Sequence, residues 1–94
     1  MNAKKLETWD IVLVYWVDSS GSGRWQDSSE VLNEECVCEC WTAGFFLSYN
    51  KDCIKIASSS ATSDQVNHVM YIPKVAIKKV QVIKRSGSNE SKTF

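Results

Sequence analysis

No stretch of this chain is apolar enough to span a membrane. The longest apolar run, IVLVYWV at 11–17, is seven residues, against the roughly 20 that a membrane helix needs. The N-terminus, MNAKKLETWD, carries a basic pair and no apolar core, so it is not read as a secretory leader. The expected setting is therefore cytoplasmic, where thiols stay reduced. Net charge is also lacking, since eleven basic residues balance eleven acidic ones. Nothing global pulls such a chain toward nucleic acid or an anionic membrane. A neutral protein does incline to self-association, because no net charge keeps copies apart.

The chemistry of common active sites is equally sparse. His68 is the sole histidine. There is no P-loop, no G-x-G-x-x-G and no carboxylate pair in a recognisable setting. GSGRW at 21–25 contains glycine but lacks the lysine of a phosphate cradle. A cysteine nucleophile needs an activating base, and only a Cys53–His68 meeting across a sheet could supply one. The chain is read as non-enzymatic and without a cofactor.

What is abundant is aromatic and β-branched. Four tryptophans in 94 residues imply a core or an interface built on large rings. The length allows one domain. Residues 8–18, TWDIVLVYWVD, read as a strand that is apolar on both faces. Ile11, Leu13, Tyr15 and Val17 share one side with Trp9, and Val12, Val14 and Trp16 share the other. A strand of this kind is covered on both faces, and in a small domain the second cover is expected to be another subunit. Val12, Val14 and Trp16 are then the candidate interface.

SSGSGRW is a loop by composition. Asp27 and Glu30 are spaced for a capping box, which predicts a short helix over 28–34. A long strand follows from Cys36 to Tyr49, interrupted by Gly44 as at a bulge or bend. Asn50-Lys51-Asp52 is a tight turn into a strand at 53–61. VNHVMYI at 66–72 is a fourth strand, ended by Pro73. A brief turn then leads to a fifth strand at 78–84. The fold expected is all-β with one short helix, a small SH3-like five-stranded barrel over residues 8–84. Residues 1–7 are expected to be flexible and 85–94 a disordered tail.

ECVCECW at 35–41 places three cysteines at alternate positions. Zinc needs sulfurs within roughly 4 Å of one another, whereas alternate strand residues stand about 6.6 Å apart. The spacing is that of one strand face. The remaining metal option is Cys36 and Cys38 joined by a distant Cys53 or His68. Trp16, Trp25 and Trp41, with Tyr15, are candidate binding aromatics for a peptide groove. Trp25, between a glycine-serine loop and a helix cap, is expected to plug a barrel end or anchor a partner. Lys78, Lys79 and Lys84 make the last strand basic. That suits single-stranded nucleic acid, or simply protects a sheet edge from aggregation.

VYWVDS at 14–19, GRW at 23–25, TAGFFL at 42–47 and IPKVAIKKV at 72–80 stand together in an order that resembles a family of small bacteriophage proteins. The resemblance spans about residues 10–84, and the three-cysteine segment departs from it. It implies a phage accessory protein at work in the infected bacterial cytoplasm. Three functions are carried forward. One is an oligomeric module binding a host protein, the second a nucleic-acid binder, and the third a binder of a signalling nucleotide that counters host defence.

Overall fold

A computed structural model describes residues 6–20, 23–34 and 37–87. Five strands form one antiparallel sheet: β1 (Ile11–Ser19), β2 (Val37–Tyr49), β3 (Cys53–Ser60), β4 (Val66–Pro73) and β5 (Ile77–Lys84). Helix α1 (Ser28–Asn33) lies between β1 and β2, and a 3₁₀ turn (Lys74–Ala76) precedes β5. The order β4-β3-β2-β1-β5 is a meander whose last strand returns to pair with the first. The all-β reading with one short helix holds, and so does each strand position to within three residues. The sheet is not closed into a barrel: β4 and β5 remain its two edges.

The bend that makes a core possible sits in β2. Residues 37–45 pair with β1, and residues 45–49 pair with β3. The handover falls next to Gly44, where a Cβ would stand 2.6 Å from the Ala57 carbonyl oxygen and 2.6 Å from Ile56 Cγ2. Only glycine lets the two backbones approach so closely. The bent sheet wraps around Val12, Val14, Phe46, Ile54, Ile56 and Ile72, with Trp16, Val80 and Val82 packed against them. Val12 and Val14 are fully buried inside the single chain. The proposed interface of Val12, Val14 and Trp16 is thus replaced by an internal role, because the sheet folds over this face of β1 itself.

The turn into β3 follows from Asn50. Its side-chain oxygen accepts the Asp52 and Cys53 amides at 2.7 and 2.9 Å, the local bonding that favours asparagine in turns. The 3₁₀ turn is fastened to it by the Lys74 amide, which donates to the Asp52 carbonyl at 2.8 Å. Helix α1 begins after Asp27 as expected, but the Asp27 side chain makes no capping bond; the Glu30 and Val31 amides donate to its backbone carbonyl instead.

The domain extends past both expected boundaries. Asp10 is fully buried. Its carboxylate accepts the Glu7 amide at 2.9 Å, the Ser86 amide at 2.8 Å and Arg85 Nη1 at 3.0 Å. Leu6 packs on the core. Glu7, Arg85 and Ser86, assigned to loose ends by sequence, are tied down by this one buried acid, and Leu6 by its core packing. The rest of the expected flexible ends, residues 1–5 and 88–94, lies outside the described residues. Among the described residues no helix is long and apolar enough to cross a membrane.

Candidate functional site: the outer face of β1, β2 and β5

Side chains that alternate with the core point to the opposite side of the sheet. On β1 these are Ile11, Leu13, Tyr15 and Val17, all half-buried. Their partners across β2 are Phe45, Ala43, Trp41 and Glu39. Tyr15 is in register with Lys79 of β5 and Leu13 with Gln81. No described element covers this face. Trp41 is 63% exposed, and Val37 and Ile83 are open to solvent.

The face has an ordered centre. The Tyr15 and Trp41 rings stack at 4.4 Å between centroids with 16° between planes. The Tyr15 hydroxyl donates to Glu39 Oε1 at 2.8 Å. That hydrogen bond, followed by partial burial and the Glu39 charge, pushes the phenol above its ordinary value. The result is a fixed aromatic platform with a cation, Lys79, on one side and an anion, Glu39, on the other. Fixed rings lose little freedom on contact, which suits them as anchors.

The four aromatic residues picked from sequence do not form one groove. Tyr15 and Trp41 meet on the outer face. Trp16 lies on the core side, where its Nε1 donates to Thr42 Oγ1 at 2.9 Å. Trp25 plugs nothing, since it stands fully exposed in the β1–β2 connection. The lysines are also spread: Lys79 lies across from Tyr15 and Lys84 across from Ile11, five residues or about 16 Å apart along the strand.

The cysteines separate in a similar way. Cys38 and Cys40 lie on the core side of β2, opposite Asp18 and Trp16. Their sulfurs are 3.9 Å apart, closer than the strand repeat because the side chains lean together. Partial burial, then the Cys38 thiol and the Asp18 charge, push the Cys40 thiol up, the opposite of an activated nucleophile. Cys53 pairs with Pro73 near the start of β3. His68 is five residues from Pro73 along β4, so it and Cys53 are about 16 Å apart. Cys36 lies outside the described residues. Among the described residues no three metal-ligating side chains come together, so the Cys38, Cys53 and His68 combination is not assembled.

The feature that sequence reasoning missed is Asp10. A lone acid between Trp9 and Ile11, beside an apolar strand, was its only signal. Burial pushes the Asp10 carboxyl up, but the Ser86 and Glu7 amides and the Arg85 guanidinium outweigh that and hold it below the ordinary range. Every oxygen of this group is used within the fold, which gives it a structural role.

Comparison with family models, with curated proteins and with solved structures found no match to this chain. The outer face therefore has to be interpreted from its own geometry.

Proposed function

We propose that the chain is a non-enzymatic binding module whose outer sheet face is covered by another protein. The observation that carries this is the uncovered Tyr15–Trp41 platform, with the exposed Val37 and Ile83 on the same face. Trp41 alone, at 63% exposure, leaves on the order of 150 Å² of ring open to water. Covering it is worth about 4 kcal/mol at about 25 cal/mol per Å². Isolated exposed apolar side chains are ordinary, whereas a contiguous patch with a rigid aromatic centre marks an interaction surface. The resemblance to small bacteriophage proteins supports an accessory role in an infected bacterium, with a host protein or another copy as the partner.

The test is a photo-crosslinking amino acid at position 41, expressed in a bacterium. A discrete protein-sized adduct is expected, and it should disappear when Tyr15 is replaced by serine. No protein adduct at all would refute the reading.

One observation favours a second reading. Lys79 lies across from Tyr15, beside the stacked rings, and a cation next to an aromatic platform suits single-stranded nucleic acid. Glu39 on the same platform works against it. This reading predicts quenching of tryptophan fluorescence by an oligonucleotide that weakens steeply with salt; absence of quenching at low salt would end it. At the depression beside Trp25 a signalling nucleotide is disfavoured. The depression of about 470 Å³ beside Trp25 is lined by Asp27 and Glu30 against a single Arg24, which opposes phosphate.

A further inference from the structure

Among the described residues, two of the uncovered apolar surfaces carry opposite charge. The first is the outer face just described. The second is the arm between β1 and β2. Trp25 in it is fully exposed and Leu32 is 84% exposed. Helix α1 has no buried residue, so among the described residues nothing holds its apolar side. A helix of six residues does not persist alone in water. It gains stability when its apolar side chains meet a surface.

The charges complete the pattern. Residues 24–35 contain four carboxylates and one arginine, while residues 74–85 contain five cations and no carboxylate. The neutral total conceals an acidic arm and a basic last strand. β5 is a sheet edge, and its Lys79 and Ile83 border the uncovered face. One molecule therefore presents both halves of a complementary contact, with apolar anchors on one half and an apolar seat on the other.

We infer that the partner of the outer face is a second copy of this chain, whose arm lays Trp25 and Leu32 against the Tyr15–Trp41 platform while Asp27 and Glu30 face Lys78 and Lys79. This inference rests on the reading that the outer face is covered by protein, and it names that protein. Two copies can exchange arms, which closes a symmetric dimer. The same contact passed head to tail closes a ring. Opposed charges fix the register and speed the encounter, while the two rings and Leu32 supply the binding energy.

The experiment is sedimentation velocity over a dilution series, on the wild type and three variants. Trp25→Ser with Leu32→Ser removes the anchors from an arm whose described residues bury nothing in the fold, so the melting of the monomer stays put. Its self-association should weaken on the order of a hundredfold. Lys78→Glu with Lys79→Glu should weaken association, and so should Asp27→Lys with Glu30→Lys. Combining both reversals in one chain should restore it, which a general loss of folding would not allow. A wild-type monomer at every concentration overturns the inference, as does a multimer indifferent to all of these changes. A monomer whose Trp25 emission is that of a buried ring also overturns it, since the arm then covers its own sheet. If the position-41 adduct joins a different protein, the inference falls and the broader reading stands. If there is no adduct, the broader reading falls as well.

Discussion

Replacing Gly44 by alanine tests the bend on which the whole core depends. The new methyl would stand 2.6 Å from the Ala57 carbonyl oxygen and 3.3 Å from its carbon. Both belong to the backbone of β3, so neither can rotate away. It would also stand 2.6 Å from Ile56 Cγ2, and Ile56 is a core residue with nowhere to move. Restoring ordinary contact requires β2 and β3 to separate by most of an ångström where their pairing begins. Overpacking of this kind costs about 1–3 kcal/mol, and disturbed ladder bonds add about 1 kcal/mol. Alanine recovers about 0.5–1 kcal/mol by restricting the unfolded chain. The net expectation is a loss of about 2 kcal/mol. For a domain of this size that is a fall in Tm of roughly 8–16 °C. Thermal unfolding followed by circular dichroism gives the answer. A Tm within a few degrees of the wild type would show that β2 is not pinned against β3 at this point.

Three further outcomes follow from the buried and hydrogen-bonded groups. Asp10 has its carboxyl held below the ordinary range, so its contribution is complete above about pH 4. That contribution is lost as pH falls through the folded-state value. Asp10→Ala should cost about 2–4 kcal/mol at neutral pH by leaving the Glu7 and Ser86 amides unpaired, and urea melts of the variant should lose much of the acid-side decline. Arg85→Ala should cost far less, because that guanidinium is half exposed. Tyr15 should ionise above its ordinary value in a spectrophotometric titration, and Glu39→Gln should bring it back down, since the carboxylate is the main cause of the shift. At mildly alkaline pH iodoacetamide should modify Cys38 ahead of Cys40, read by peptide mass spectrometry, because the Cys40 thiol is partly buried and pushed up.

Much of the architecture was legible because strand chemistry is local. β-branched and aromatic runs marked β1 and β2, Asn50 marked the hairpin, and Pro73 marked the end of β4. Gly44 was legible as a bend, although not as the exchange point between two partner strands, which depends on contacts distant in sequence. The two apolar faces of β1 were also legible. Which face the chain buries itself was not, since parity alone gives both faces equal standing. The bent sheet chose Val12 and Val14, and that choice moved the candidate interface to Tyr15 and Trp41. Asp10 was invisible for the same reason: its partners Arg85 and Ser86 are 75 and 76 residues away. The cysteines misled in distance only. Backbone spacing set them apart, and side-chain rotamers brought two sulfurs together.

The central claim is that a second copy of this chain covers the outer face of β1, β2 and β5 in the working state. Hydroxyl-radical footprinting of the assembled wild type, read at single residues, tests it most directly. The account predicts that Trp41, Val37 and Ile83 are protected, and that diluting the protein to monomer restores their labelling, while Val66 at the far end of the sheet is labelled in both states. Trp41 labelled as strongly in the concentrated protein as in the dilute monomer would contradict it.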